Sequence, residues 1–174
     1  MLSYLHLSDL PDAVSFAEAA IVVGSWFGMG LVEPLRAGLA VASVWPLAIA
    51  LTARSPAALL GLTLVIAIAG AWAADAWEAL LAIKDDRRIV VDEVAGYLAG
   101  MAVIGRAGWL GAGAFAGLFL ALDRLKPFPF DRIEGIPGGL GVMLDDIAMG
   151  LALGLSGALL LAAWRRFSGR GVAS

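Results

Sequence analysis

Six apolar runs separated by polar loops leave this chain few folds to choose from. Backbone groups placed in lipid find no water, so a run of this kind satisfies its own N–H and C=O groups by coiling into a helix. The first run, Ala17 to Leu35, is broken by Gly24, Gly28, Gly30 and Pro34, and reads as an embedded helix that ends in a bent, non-spanning loop. Gly38 to Ala53, with Pro46 as its kink point, Ala57 to Ile83, Ile89 to Ile104, Ala107 to Leu122 and Ile147 to Trp164 follow. The pattern predicts an all-α fold, an integral membrane helical bundle of four to five transmembrane segments.

Composition supports that class and removes others. Of 174 residues, 61% are hydrophobic and only 16% charged, too apolar for a water-soluble domain. The net charge of -3 and the scatter of the basic residues exclude a nucleic-acid footprint. With no cysteine, thiolate nucleophiles, disulfides and zinc–thiolate sites are excluded together. The one histidine, His6, falls in residues 1–15, which lack the pattern of a cleaved signal and read as a mobile surface arm. No composition shift marks a second domain, so residues 1–174 read as one membrane-embedded unit.

If the segments alternate across the bilayer, Arg36, the Lys84 to Arg88 loop and the Arg124 to Arg132 loop share one side. That side holds seven basic residues against five on the other, which places it in the cytoplasm. Asp85, Asp92, Glu93, Asp123, Asp145 and Asp146 fall on the same side. Asp92 and Glu93 open an apolar segment, where a carboxylate must face the bundle interior or a wet pocket. Gly96 and Gly100, four apart, give that segment a face on which a neighbouring helix can come close.

The stretch from Asp123 to Asp146, DRLKPFPFDRIEGIPGGLGVMLDD, concentrates the chemistry in a loop at one membrane face. Carboxylates suit hard divalent cations such as magnesium, whose shell a substrate phosphate often completes. Lys126 offers a point charge to a phosphate, and the turn at Gly138, Gly139 and Gly141 would let backbone N–H groups approach one. Pro127 makes Lys126 a helix end. Metal-activated water or an aspartate nucleophile is then the available chemistry.

The order IVVDEVAGY, DRLKPFP, GGLGVMLDD resembles the signature of the bacterial phosphatidylglycerophosphatase A family, over Asp85 to about Gly150 with a weaker echo at Phe27 to Leu31. The resemblance implies a magnesium-dependent membrane enzyme that removes the terminal phosphate of phosphatidylglycerophosphate, a multi-pass protein of the bacterial inner membrane with its site facing the cytoplasm. It gives Asp92, Glu93, Asp123, Lys126, Asp145 and Asp146 the catalytic and metal-binding roles, with Asp85 adjoining the metal ligands. Lys126, Gly138, Gly139 and Arg36 would hold substrate. The chain departs from the family at Arg36 to Val41, where RAGLAV stands in place of a PGTxGS-like turn, and at Leu120, where an arginine is common. Arg36 would return positive charge to the altered turn. Which of Asp131 and Glu134 takes the place of the family's acidic loop residue stays open.

Other readings stand beside this one. Asp145 and Asp146 suit a helix N-terminus, where acidic groups meet free N–H groups and the macrodipole. Asp92 and Glu93 suit partners for Arg87 and Arg88, Lys126 a cation reaching the headgroups, and Asp75 and Glu78 partners for cations at a helix end. The glycines at 111, 113, 117, 150, 154 and 157 read as helix-packing positions. A diverged phosphatase for another lipid phosphate, an inactive relative, or an ion-coupled transporter subunit are the functional alternatives; a transporter would set its carboxylates near the midplane rather than at helix ends.

Overall fold

The computed structural model describes residues 16–168, so residues 1–15, with His6 and the expected N-terminal arm, lie outside it. Among the described residues there are helices and no strand. The chain forms α1 (Phe16–Gly24), a 3-10 turn (Met29–Leu31), α2 (Arg36–Arg54), α3 (Pro56–Leu81), α4 (Val91–Ile104), α5 (Trp109–Leu125), the short α6 (Phe130–Glu134) and α7 (Gly139–Ser168). The all-helical bundle expected from the pattern is the fold found. α2, α3 and α7 are long and apolar enough to cross a membrane. α4 and α5, with 14 and 17 residues, are shorter than the roughly 20 a span requires.

Local chemistry sets several boundaries. Ser55 caps α3 by accepting a hydrogen bond from the Ala58 N–H at 3.2 Å, and Pro56 occupies the first turn, where its missing donor costs nothing. α2 runs unbroken through Pro46. α5 stops at Lys126, which takes a left-handed φ of 39° ahead of Pro127. After α1 the chain doubles back through Trp26, Phe27 and Gly28, all at positive φ, and the Ser25 hydroxyl accepts the Gly28 N–H at 3.0 Å. This is the bent, non-spanning loop expected there. It braces the loop before α4: the Val90 N–H donates to the Gly24 carbonyl at 2.9 Å, and at Gly30 a Cβ would lie 2.0 Å from the Arg88 carbonyl.

α4 is the hub. Val91, Val94, Tyr97, Leu98 and Met101 are buried on every side of it, as in a helix enclosed by others, and α2, α3, α5 and α7 all pack on it. Its closest neighbour is α7. A Cβ at Gly150 would lie 2.0 Å from the Gly96 carbonyl oxygen, and one at Gly154 would lie 2.5 Å from that of Gly100. The small face at Gly96 and Gly100 therefore meets a matching face on α7, and the two backbones touch. Gly113 against Trp45 and Gly157 against Ile104 are also packing positions, whereas Gly111 meets only Ala107, just ahead of its own helix, and Gly117 faces open space. Large apolar side chains point outward along the spans, among them Leu64, Val65, Ile68, Leu160 and Trp164. A continuous apolar exterior of this kind suits lipid.

α7 begins eight residues earlier than the expected Ile147. Gly138 turns the chain at φ 75°, and the Gly139 N–H donates to the Asp75 carboxylate at 2.6 Å. Asp75 is thus an N-cap supplied by α3 rather than the partner of a basic side chain. As a result Asp145 and Asp146 sit in the second turn of α7, not at its start, and the helix-terminus reading of that pair fails.

Candidate active site

Close packing of α4 on α7 assembles the acidic centre. Asp92 and Glu93 lie one turn before Gly96 on α4, and Asp146 lies one turn before Gly150 on α7. Where these glycines bring the backbones together, the carboxylates one turn above must meet. Each of Asp92, Glu93 and Asp146 offers an oxygen within 4.8 Å of the others. Asp92 Oδ1, Glu93 Oε2 and both Asp146 oxygens are buried and have no hydrogen-bond partner. Asp123, in the last turns of α5, stands beside Asp146.

Buried carboxylates left unpaired repel one another and lose their hydration, an arrangement that costs several kcal/mol unless something cationic compensates. Three hard oxygen donors converging on one point suit a divalent cation. The group could therefore hold a metal ion, and the orphaned oxygens are the structural reason for saying so.

Lys126 ties a second group of acids together. Its ammonium donates to Asp145 Oδ2 at 2.8 Å, and Glu134 Oε1 at 3.2 Å and Asp85 Oδ2 at 3.5 Å complete its surroundings. Burial would lower its pKa, but the Asp145 hydrogen bond and the fields of Asp85 and Glu134 outweigh that and hold the ammonium charged. Burial raises the Asp85 carboxyl above its usual range, against the pull of Lys126. Nearby, the Arg88 guanidinium hydrogen-bonds Asp86 and holds its carboxyl below that range.

A cavity of about 690 Å³ opens over both groups. Asp92, Glu93, Asp123, Asp85 and Lys126 line it, together with arginines 36, 87 and 124. Asp145 and Asp146 sit behind this lining, each 1% exposed.

The residues singled out from the sequence are mostly gathered here, but in two sets. Asp92, Glu93 and Asp146 form the carboxylate cluster, with Asp123 beside it; Asp145 and Asp85 belong to Lys126. Gly138 and Gly139 depart from expectation. Neither lines the cavity, the Gly139 N–H is spent on Asp75, and its Cα faces the Ala71 carbonyl, where a Cβ would be 2.0 Å away. Their work is to seat the start of α7 against α3. Arg36 does line the cavity, but as the first residue of α2, so the expected turn at Arg36 to Val41 is helix. Asp92 and Glu93 also do not pair with Arg87 or Arg88, since Arg88 engages Asp86. Of Asp131 and Glu134, it is Glu134 that reaches the site.

Lys84 is a residue of the site that the sequence does not mark. Its ammonium donates to the carbonyls of Glu134 and Ile136, the latter at 2.8 Å, and so fastens the loop that carries Glu134. A lone lysine in a charged loop gives no signal of such a contact.

The fold and the site together define a helical membrane protein with a carboxylate-and-lysine centre recessed at the ends of its helices. The profile of the family described as phosphatidylglycerophosphatase A matches residues 22–161, and the chain belongs to that family. A protein of Bacteroides thetaiotaomicron named "Putative phosphatidylinositol-3-phosphatase" is 32% identical over 139 residues, covering 75% of this chain and 86% of the relative. No solved structure matches the chain. Family and relative agree on phosphatase chemistry directed at a lipid.

Proposed function

We propose that the protein is a magnesium-dependent phosphatase that hydrolyses phosphatidylglycerophosphate to phosphatidylglycerol and inorganic phosphate, in the bacterial inner membrane with its site on the cytoplasmic side. The observation that carries this is the pairing of three convergent, unpartnered carboxylates with a charged lysine in one cavity, in a chain of this family. Asp92, Glu93 and Asp146 would hold the ion. Bound there, magnesium would neutralise phosphate charge and acidify a water molecule.

The chain's own residues then divide the remaining work. Lys126 presents its ammonium to the phosphate oxygens and offsets their charge as the bond to glycerol breaks. Asp123 lines the cavity outside the three-carboxylate group, which leaves it to orient the attacking water and take its proton. Asp145, Asp85 and Glu134 fix the lysine in place. The lipid tails remain in the bilayer against the apolar exterior while the headgroup enters the cavity.

A second reading, another lipid phosphomonoester as substrate, draws support from the name carried by the Bacteroides relative. Phosphate release by detergent-purified protein from phosphatidylglycerophosphate and from phosphatidylinositol 3-phosphate, with magnesium or with chelator, decides between the two. Magnesium-dependent release from the first, lost in Asp146→Asn, is expected. Release from the second alone would replace the first reading, and release from neither would overturn both.

A further inference from the structure

The cavity carries more positive charge than a single phosphate uses. Besides Lys126 its wall holds Arg36, which opens α2, Arg87, from the loop before α4, and Arg124, from the last turn of α5. The side chains of Arg87 and Arg124 have no hydrogen bond or ion pair among the described residues. Arg36 is engaged on one edge only: a terminal nitrogen pairs with the exposed Glu33, while its Nε is shielded from solvent and has no partner. Arg36 and Arg87 also line a second, adjoining cavity of about 510 Å³, which places them where the two spaces meet. Lys126 belongs to the first space alone and is tied to the acids beneath it.

Three arginines from three elements line one cavity, Arg87 and Arg124 without a carboxylate partner and Arg36 engaged on one edge only by the exposed Glu33. A guanidinium presents two parallel donors, matched to the two free oxygens of a singly charged phosphodiester. We infer that Arg36, Arg87 and Arg124 form a second anion subsite that binds the phosphodiester of the substrate while its terminal phosphate lies at Lys126. This rests on the proposed function and adds to it a basis for selectivity. A lipid with both a diester and a terminal monoester engages both subsites, whereas a simple phosphomonoester lipid engages one.

Inhibition of phosphatidylglycerophosphate hydrolysis tests this, with two soluble probes, the diester glycerophosphoglycerol and inorganic phosphate. Surrounding anionic lipids offer the same diester chemistry, so the assay is run in neutral detergent. Arg36→Ala is expected to raise the inhibition constant of glycerophosphoglycerol about tenfold, the worth of one charge-assisted contact, and to leave that of inorganic phosphate within about twofold. Arg36→Lys, which keeps charge but loses the fork, should fall between. If Arg36→Ala does not fold, the Arg87→Ala/Arg124→Ala double variant, altered only at exposed side chains, makes the same test. No inhibition by the diester, or a parallel change for both probes, would overturn the second subsite while leaving the phosphatase intact. If the wild-type protein hydrolyses no phosphatidylglycerophosphate, the proposed function fails separately. Thermal stabilisation by glycerophosphoglycerol, lost in Arg36→Ala, then still reports on the subsite, and its absence overturns it.

Discussion

Gly150→Ala puts the geometry of the site to its hardest test, because it alters no chemical group. The added methyl would lie 2.0 Å from the Gly96 carbonyl oxygen, whereas ordinary contact begins at 3.4 Å. The obstacle is backbone in a buried helix, so no side chain can swing aside, and α4 and α7 must part by about 1.4 Å at that level. Forcing a methyl into a packed interface costs about 1–3 kcal/mol, and an immovable carbonyl argues for the upper end. The effect on activity is larger. Asp146 is one turn from Gly150 and Asp92 one turn from Gly96, so the wedge opens the carboxylate group directly, and a displacement of about 1 Å in a catalytic constellation costs on the order of a hundredfold. Gly117→Ala is the control: no atom lies within 4 Å of its added methyl, and helix propensity favours alanine by about 1 kcal/mol. Both variants are melted in detergent and assayed with magnesium. A Gly150→Ala protein with wild-type melting and wild-type turnover would refute the reasoning, since the glycine contact could then not be what sets the carboxylates together.

Other substitutions separate folding from chemistry. Asp146→Asn should lower metal-dependent hydrolysis by roughly a hundredfold or more, yet melt no lower than wild type in chelator, because it removes a buried charge flanked by like charges. Added magnesium should then stabilise wild type and not the variant; equal stabilisation would place the ion elsewhere. Lys126→Met should abolish turnover and cost about 3 kcal/mol by stranding the buried Asp145 carboxylate. Adding Asp145→Asn should recover much of that stability and none of the activity, and a double variant no more stable than the single would contradict the pairing. Asp75→Ala removes the cap on α7 and should cost about 1 kcal/mol, read as a lower melting temperature; an unchanged melting temperature would mean that the Gly139 N–H is satisfied another way.

What could be read from the sequence and what could not divide along the range of the forces involved. The helical bundle, the bent loop after α1 and the close face at Gly96 and Gly100 follow from rules local to a few residues: apolar length, glycine and proline spacing, small residues four apart. The start of α7 follows from none of these. GIPGGLG reads as a turn because, taken alone, three glycines in four positions disfavour helix. Gly139 and Gly141 are helical because Asp75, 64 residues away in sequence, caps Gly139, and because both sit against carbonyls, of Ala71 and Ile136, where any side chain would collide. The sequence marks these glycines as special but not for what. A phosphate and a neighbouring helix both demand a missing side chain, and only the packing tells them apart. The carboxylates show the same limit from the other direction. Their residue types disclose the chemistry, but the division between the three that converge and the three that serve Lys126 depends on the crossing of α4 and α7. That crossing is fixed by Gly96 against Gly150, so the residues that bring the three carboxylates together are glycines with no chemistry of their own.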